Sequence, residues 1–300
     1  MRNNFHSKLG FIGLGKMGMP MASNLINNGY DLVGYDTNRN ALTNLKKVGG
    51  NIVNKIEDFG NDISIFITML PNGDLVKKTV INLVKNINNK KSVIIIDMSS
   101  SDPIGTKQLF KKLKNKNIKL IDAPVSGGVK KAISGKLSIM VSGDSKIIKK
   151  VNPILSKLGH NIIEIGTLGS AHAMKAINNY VSAMGLMAVC EAIILGKKFG
   201  INSKTLNDTL NVSSGKNNST ENKIEQFVLS NKFSSGFSLP LMSKDVSIAL
   251  KLSQKLKLKL NGINFASNEW KKANKISNDQ TDHTEIFKYI KNISTKKNLS

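Results

Sequence analysis

Short apolar runs alternate with helix-like segments through the first half of the chain. Apolar runs of this length, bounded by turn residues, predict buried strands. The predicted strands are 9–12, 32–35, 63–70, 92–98, 119–122, 137–141 and 162–165, and the predicted helices between them are 19–26, 40–48, 74–84, 103–116 and 145–158. This alternation is typical of an α/β fold in which a parallel sheet is doubly wound with helices.

The alternation stops near residue 166, and the remaining chain predicts helices alone. Residues 171–199 carry small and apolar side chains on nearly every face of one long helix, which predicts a buried central helix that ends at Gly200. Further helices are predicted at 204–211, 221–229, 240–260, 265–275 and 283–293. We therefore predict two domains, an α/β domain over 1–167 and an all-α domain over 168–300.

The composition fits a globular protein of this kind. The chain has 300 residues, a length that suggests one large or two ordinary domains, and 40% of them are apolar, which is enough for a real core. It has no uninterrupted apolar run of about 18 residues, so we expect no membrane span. Residues 1–8 lack the apolar stretch of a signal peptide, and the single cysteine, Cys190, excludes an internal disulfide framework. These observations predict a cytoplasmic protein.

The formal net charge of +24 raises the alternative of a nucleic-acid-binding protein. The lysines are scattered along the whole chain, and aromatic residues that would stack on bases make up only 5% of it. A positive field of this kind also attracts small anionic ligands. We therefore expect an anionic cofactor and substrate, and no nucleic-acid partner.

A glycine-rich turn joins the first predicted strand to the first predicted helix. Residues 10–18 read GFIGLGKMG, with Gly13, Gly15 and Gly18 in the spacing Gly-x-Gly-x-x-Gly and with Leu14 and Met17 between them. The first glycine permits a tight turn, the second lets a pyrophosphate approach the backbone, and the third lets helix and strand pack closely. The helix N-terminus adds free N–H groups. The stretch predicts a dinucleotide-binding turn, and the alternative is a strand–turn–helix with incidental glycines.

Asp36 ends the second predicted strand about 20 residues beyond the glycines, where a carboxylate that binds the ribose is expected. A carboxylate binds the 2′-hydroxyl of NAD and repels the 2′-phosphate of NADP, so Asp36 favours NAD. Arg39 follows three positions later and is able to face a 2′-phosphate, which leaves NADP open.

Three polar stretches follow predicted strands, at the sheet edge where ligands of α/β folds bind. They are 69–72 (MLPN), 97–100 (DMSS) and 122–129 (DAPVSGGV). In the third, Ser126 precedes Gly127 and Gly128, and such a bare backbone can aim N–H groups at an anion such as a carboxylate. A flexible turn without a ligand is the alternative.

Lys175 introduces a charge among the small and apolar residues of the long predicted helix. A buried lysine has a lowered pKa, which suits proton transfer. Asn179 follows four residues later on the same helix face, so the two side chains can hold one substrate hydroxyl. The alternative is a lysine that extends to solvent or pairs with an acid. The four histidines lack metal-ligand spacing, so we expect no metal site.

Taken in order, these stretches resemble the β-hydroxyacid dehydrogenase family. The resemblance runs from Gly10 to about Leu250 and includes GLGKMG, MLP, DMSS, DAPVSGG, Lys175 with Asn179, and Lys244 with Asp245. It implies a Rossmann-type domain over 1–167 that binds NAD or NADP, and a substrate and dimerisation domain over 168–300. It also implies an oxidoreductase that transfers a hydride between the nicotinamide and a small 3-hydroxy acid or semialdehyde, as a homodimer or homotetramer.

The resemblance also assigns roles to single residues. It implies that Lys175 is the general acid/base and that Asn179 helps to hold the substrate hydroxyl. It implies that Ser126, Gly127 and Gly128 bind the substrate carboxylate. The cofactor-binding residues that it implies are Gly13, Leu14, Gly15, Met17, Gly18, Asp36, Leu70, Pro71, Ser99, Ser100 and Lys244. Relatives often carry threonine in place of Ser100, a departure that keeps the hydroxyl.

Two other functions stay open at this point. The first is a relative that reduces another group, such as an imine, although those enzymes usually lack the residue equivalent to Lys175. The second is a non-catalytic module that keeps the fold for binding. The polar loop 213–221 either contacts the far end of the substrate or is a solvated surface loop.

Overall fold

The computed structural model describes residues 8–86, 92–114 and 116–295. The prediction about a signal peptide concerns residues 1–8, of which 1–7 lie outside the described residues. The predicted helix 103–116 includes residue 115, which also lies outside them. The chain forms two compact units, Met1–Lys175 and Ala176–Ser300. The first is an α/β fold and the second is helical, which confirms the predicted fold class. The division into domains at 167/168 stays a prediction.

A mixed sheet runs through the first unit. Its described strands are β1 (Leu9–Ile12), β2 (Leu32–Tyr35), β3 (Asn51–Ile52), β4 (Ile65–Thr68), β5 (Val93–Asp97), β6 (Ile118–Asp122), β7 (Val125–Ser126), β8 (Leu137–Ser142) and β9 (Gly159–Gly166). Strands β1 to β6 are parallel in the order β3-β2-β1-β4-β5-β6, and β8 joins β6 in the antiparallel sense. Strands β7 and β9 pair with β8. The order of the parallel strands is that of doubly wound dinucleotide-binding folds, in which ligands lie at the carboxyl ends of the strands.

Helices follow most of these strands. In the first unit they are α1 (Gly18–Asn27), α2 (Arg39–Lys47), α3 (Gly73–Asn86), α4 (Pro103–Leu113), α5 (Gly128–Ile133) and α6 (Ser145–Leu155), with a 3-10 turn at Ile56–Asp58. Local sequence fixes where several of them begin. The side chain of Asp102 accepts from Ile104 and Gly105 at the start of α4, and Asp144 accepts from Lys146 and Ile147 at the start of α6. A side-chain cap of this type stabilises a helix by about 1 kcal/mol.

The sheet buries both of its faces. Successive strand residues point to opposite faces, so Phe11 belongs to one apolar cluster and Ile12 to the other. The cluster around Phe11 packs residues of α1, α2, α5 and α6, whereas the cluster around Ile12 packs residues of α3 and α4. Helices therefore cover both faces, as the alternating sequence pattern predicts.

The long helix α7 (Ser170–Phe199) begins in the first unit and continues into the second. The prediction that it is buried on every face is wrong. It buries one stripe, which includes Ala183, Leu186 and Cys190, while Val181 and Leu195 are 61% and 72% exposed. A window of 18 residues in α7 has a mean hydropathy of 1.5, so the helix is long and apolar enough to cross a membrane. The core helix of a globular protein meets the same criteria of length and composition.

The second unit contains α8 (Ser203–Asn211), a π-helix (Thr220–Leu229), α9 (Leu239–Lys255), α10 (Asn261–Lys275), a 3-10 turn (His283–Glu285) and α11 (Ile286–Thr295). Its core surrounds the fully buried Trp270 of α10. The predicted helix 240–260 is too long at its C-terminus. Lys257 has a positive φ of 58°, and the N–H of Leu258 bonds back to the carbonyl of Ser253, so the helix ends there.

Besides the 3-10 turn at Ile56–Asp58, three short elements have no counterpart in the predictions. Strands β3 and β7 have two residues each, and α5 has six. Elements of this length are too short to show a hydrophobic period, so they form because neighbouring strands and loops hold them in place. The position of α5 matters here, since its first residue is the Gly128 of the predicted substrate loop.

Candidate active site

The glycine turn has the local geometry that a dinucleotide requires. Gly13 adopts a φ of +100°, and a Cβ there would collide with the carbonyl oxygen of Met69. A Cβ on Gly18 would collide with the carbonyl oxygen of Gly13, whereas a Cβ on Gly15 would meet nothing within 4 Å. The first and third glycines are therefore needed for packing, and the second leaves open space beside the backbone. This space is what the approach of a pyrophosphate would use.

Asp36 lies just beyond β2 and is bonded to the glycine turn. Its Oδ2 accepts from the N–H of Leu14 at 2.6 Å, and its Oδ1 accepts from the N–H of Asn38 at 2.8 Å. These bonds fix the carboxylate at the carboxyl ends of β1 and β2. Arg39 is the first residue of α2 and is exposed. The turn and this carboxylate together fit a dinucleotide with its ribose.

The segments after β4 and β5 are joined by a hydrogen bond. The hydroxyl of Ser99 accepts from the N–H of Leu70 at 2.9 Å, and Ser99 is fully buried. Pro71 is exposed and Ser100 is half-buried. The Ser99 side chain is therefore directed into the protein, where it holds two of the predicted cofactor-binding segments together.

Two buried carboxylates stand next to each other at the ends of β5 and β6. Asp97 and Asp122 are directly opposite in the register of these parallel strands. Asp97 accepts from the hydroxyl of Thr68 at 3.0 Å, from the N–H of Ser99 at 3.0 Å and from the hydroxyl of Ser101 at 2.8 Å. Buried charges without such donors are costly, and here each carboxylate has several.

Asp122 holds the beginning of α7. Its Oδ1 accepts from the N–H of Gly169 at 2.8 Å, and its Oδ2 accepts from the N–H of His172 at 2.9 Å. The hydroxyl of Ser142 in β8 accepts from the N–H of Ala171 at 2.9 Å and donates to Asp122. The first N–H groups of a helix lack partners within the helix, and a carboxylate there interacts favourably with the helix dipole. The start of α7 is thus bonded to side chains at the carboxyl ends of β6 and β8.

His172, in the first turn of α7, is almost fully buried between these carboxylates. The sequence predicts a local hydrogen-bonding or packing role for His172, one turn before Lys175, and no individual role for Asp97 or Asp122. The sequence does place both aspartates at the ends of predicted strands, Asp97 one residue before the end of 92–98 and Asp122 as the last residue of 119–122, and each begins a candidate ligand-binding stretch. Their convergence on one histidine depends on the order of the strands, which the sequence pattern does not specify.

Lys175 lies one turn further along α7, in the first unit, and is half-buried. Asn179 is in the second unit, where its Nδ2 donates to Asp245 Oδ2 at 2.5 Å. Lys244 Nζ lies 3.2 Å from Asp245 Oδ1, so Asp245 joins two of the predicted site residues. Lys175 and Asn179 are four residues apart in one helix, as predicted.

The predicted substrate loop lies between β7 and α5. Ser126 ends β7, and the next two glycines have φ values of +131° and +67°, a region that other residues rarely adopt. Gly127 is exposed, and a Cβ on Gly128 would meet nothing within 4 Å. A Cβ on Gly127 would meet the side chain of Lys131, so the open space beside this backbone lies at Gly128. Among the described residues, no group of three or more His, Cys, Asp or Glu side chains could hold a metal ion.

These features define an oxidoreductase of the dinucleotide-binding class, with a doubly wound sheet and a glycine turn at its central strand. Residues 8–166 match the family model described as the NAD binding domain of 6-phosphogluconate dehydrogenase. Residues 169–290 match the family model described as NAD-binding of NADP-dependent 3-hydroxyisobutyrate dehydrogenase. The chain belongs to the β-hydroxyacid dehydrogenase family, and it is an NAD(P)-dependent 3-hydroxyacid dehydrogenase.

Known proteins of similar sequence and structure carry related names. The chain is 35% identical to 2-(hydroxymethyl)glutarate dehydrogenase from Eubacterium barkeri, over 81% of each chain. It is also 35% identical to the mitochondrial 3-hydroxyisobutyrate dehydrogenase of Rattus norvegicus, over 80% of this chain and 74% of that one. The structure of Mycobacterium tuberculosis 3-hydroxyisobutyrate dehydrogenase with L-serine superposes with a TM-score of 0.89 at 26% identity, and covers 95% of this chain and 99% of that one.

An imine reductase from Myxococcus stipitatus, in complex with NAD+, superposes with a TM-score of 0.64, and the match covers 94% of this chain and 99% of that one. Its sequence is 14% identical, so it shares the fold alone.

Proposed function

We propose that the protein catalyses reversible hydride transfer between NAD and a small 3-hydroxy acid or its semialdehyde, with Lys175 as the general acid/base. The observation that carries the proposal is the way the start of α7 is held. Asp122 and Ser142 bond to its first N–H groups, so the helix that bears Lys175 begins at the ligand-binding edge of the sheet.

The glycine turn and Asp36 would hold the dinucleotide. The open space beside Gly15 suits the pyrophosphate, and the Asp36 carboxylate suits the ribose 2′-hydroxyl. The bound cofactor supplies the carbon, C4 of the nicotinamide, that accepts or returns the hydride. The exposed Arg39 is able to face a 2′-phosphate, so the same site can also bind NADP. We propose NAD as the preferred cofactor.

Lys175 would accept the proton of the substrate hydroxyl in oxidation and donate it in reduction. In oxidation its neutral amine takes the hydroxyl proton as the hydride leaves the same carbon, so that a carbonyl forms and the amine becomes an ammonium. In reduction the ammonium returns this proton to the oxygen as the hydride arrives. General acid–base groups contribute about 10²–10⁴-fold to a rate.

The remaining predicted residues would orient the substrate. The backbone of Gly127 and Gly128, which has open space beside Gly128, would bind a carboxylate together with the Ser126 hydroxyl. Asn179 would help to hold the hydroxyl, and its bond to Asp245 fixes the direction of its amide. The names of the similar proteins suggest the substrates to test, which are 3-hydroxyisobutyrate, 2-(hydroxymethyl)glutarate, L-serine and, as a smaller acid, glycerate.

The test is the near-ultraviolet absorbance of reduced nicotinamide, measured with NAD or NADP and each of these acids. We expect reduced cofactor with at least one acid, and a loss of about 10²–10⁴-fold in kcat for Lys175→Ala. Lys149→Ala is the matched control, since Lys149 is exposed on α6, and it should keep the wild-type rate. A Lys175→Ala variant that turns over normally would disprove the assignment of the acid/base.

We also propose that the working form is a homodimer or homotetramer in the cytoplasm. Several large apolar side chains of the second unit are exposed on the single chain. They are Val181, Leu195, Phe199, Val212 and Ile276. Exposed apolar surface in this quantity suits an interface between copies of the chain.

A further inference from the structure

The ring of His172 links two segments of the first unit that the proposed function uses. Its Nε2 lies 3.1 Å from the carbonyl oxygen of Ser99, and its Nδ1 lies 2.8 Å from the hydroxyl of Thr106 in α4. A carbonyl oxygen only accepts, so Nε2 carries the hydrogen of the bond to Ser99. The ring therefore joins the first turn of α7 to the segment that follows β5.

Charged and polar groups fix the ring on the elements around it. Asp97 Oδ2 of β5 lies 3.6 Å from Nε2, and Asp122 Oδ2 of β6 lies 3.7 Å from Nδ1. From α4, the Thr106 hydroxyl contacts the ring and also donates to the carbonyl of Asp102. Each carboxylate has a hydroxyl donor in the sheet, Thr68 for Asp97 and Ser142 for Asp122, so its position does not depend on the imidazole ring.

The same histidine is three residues before Lys175, which is the spacing of neighbours on one side of a helix. At the other end of the link, the Ser99 hydroxyl holds the N–H of Leu70. A change at the His172 ring would therefore alter the distance between Lys175 and the Leu70–Ser99 pair. This distance would decide how well the proton and the hydride are aligned.

We propose that His172 is a positioning residue for the hydride transfer, and that its Nε2–H bond to the Ser99 carbonyl sets the place of Lys175 relative to the nicotinamide. The inference rests on the proposed function, because it gives Lys175 the role of acid/base. His172 itself exchanges no proton with the substrate. Its contribution is to the geometry, and a misplacement of about 1 Å can lower a rate by about 10²-fold.

Three substitutions separate the two contacts of the ring. His172→Gln places an amide nitrogen close to the position of Nε2 and keeps the donor to Ser99. His172→Asn places its amide near Nδ1 and keeps only the contact with Thr106. His172→Leu keeps neither and fills a similar volume. The assay follows reduced nicotinamide with NAD and 3-hydroxyisobutyrate, or with whichever of the four acids gives the highest wild-type rate.

We expect kcat to fall by about 10–10²-fold in His172→Leu and His172→Asn, and to recover to within about threefold of the wild type in His172→Gln. The KM for NAD should change by less than about threefold, because the glycine turn and Asp36 are not altered. Fluorescence titration with NADH gives the cofactor affinity of each variant directly. Thermal unfolding shows how much of each effect is a loss of stability.

Several results would overturn the inference. One is a kcat in His172→Leu that equals the wild-type kcat. Another is a kcat that falls in proportion to the loss of thermal stability, with the same relation in His172→Gln and His172→Asn. A third is a change in the KM for NAD while kcat stays at the wild-type value. If His172→Leu does not fold, the Gln and Asn variants decide, and an Asn variant faster than the Gln variant would contradict the role of Nε2.

Lys175→Ala is measured alongside so that the two proposals fail in different ways. An inactive Lys175→Ala with a fully active His172→Leu removes only the positioning role. A fully active Lys175→Ala removes the proposed acid/base, and the positioning role with it. A loss of kcat in both, with recovery in His172→Gln, supports both.

Discussion

The carboxylate of Asp36 is bonded to the backbone of the glycine turn. It accepts hydrogen bonds from the N–H groups of Leu14 and Asn38, so it orders this turn, and under the proposed function it would also bind the ribose. A hydrogen bond to a charged group contributes about 1.5–3 kcal/mol. The residue is therefore expected to influence both the affinity for a dinucleotide and the choice between the two nicotinamide cofactors.

We predict that Asp36→Ser lowers the ratio of kcat/KM for NAD to kcat/KM for NADP by about tenfold or more. The serine loses the ionic acceptor for the 2′-hydroxyl and no longer repels a 2′-phosphate, which Arg39 is then free to face. Initial rates with each cofactor at a fixed concentration of the best acid give the ratio. Asp31→Ser is the control, since Asp31 is exposed before β2. An unchanged ratio in Asp36→Ser would argue against the carboxylate as the selecting group.

At the scale of elements, Asp282 holds the loop before α9 against the turn before α11. The hydroxyl of Ser235 donates to both of its carboxylate oxygens, the N–H of Gly236 donates to Oδ2, and Thr284 donates to Oδ1. Burial tends to raise the pKa of Asp282, but hydrogen bonds from His283 and Thr284 outweigh it and hold this pKa well below its usual range. Burial lowers the pKa of His283, and it lowers the pKa of the nearby Lys223 to about 8.

We predict that Asp282→Asn lowers the free energy of unfolding at pH 7 by about 1–3 kcal/mol, because several buried donors lose an ionic acceptor. A carboxyl group whose pKa is lowered in the folded state stabilises the fold above its unfolded-state pKa of about 3.9, and this stabilisation is lost as the pH falls. The difference in the free energy of unfolding between wild type and variant should thus be constant from about pH 7 to pH 5 and become smaller below pH 5.

Urea unfolding curves at several pH values test this. Asp208→Asn is the matched control, because Asp208 is exposed on α8 and pairs with Lys204 at the surface, where such pairs contribute little. The prediction would be contradicted by a difference in unfolding free energy that stays the same down to pH 3, or by an Asp282→Asn variant as stable as the wild type.

The elements of this protein differ in how far their own sequence determines them. Strand β5 is a continuous apolar run and α4 has Asp102 and Pro103 at its start, so both are predicted from local residues. Strand β3 and helix α5 have no local pattern and form because neighbours hold them. The same distinction applies to the site. The glycine turn is predicted from spacing, whereas the contacts of His172 arise only when β5, β6 and α4 are assembled.

At the scale of the whole molecule, charge and exposed apolar surface act against each other. Copies of a chain with a net charge of +24 repel one another, while exposed side chains such as Phe199 and Val212 favour association. Salt screens the repulsion, with a Debye length of about 8 Å at 0.15 M, and leaves apolar contacts in place. The oligomer should therefore be favoured by salt.

We predict a particle of two or four times 32.7 kDa at physiological ionic strength, with a larger share of monomer when the salt is lowered to about 0.01 M. Sedimentation velocity at several salt and protein concentrations measures this. Bovine serum albumin run in the same buffers controls for effects of salt on sedimentation itself. A mass of 32.7 kDa under every condition would exclude the homo-oligomer.

The start of α7 has a consequence for motion. The first turn of a helix ordinarily frays, so its amide hydrogens exchange with water quickly. In this protein the N–H groups of Gly169, Ala171 and His172 are bonded to buried side chains of β6 and β8, 29 to 50 residues earlier in the chain. We therefore expect these amides to exchange when the end of the sheet opens, and not by fraying of the helix. The lysine one turn beyond them would then lie on a slowly exchanging segment, even though it is close to the end of a helix.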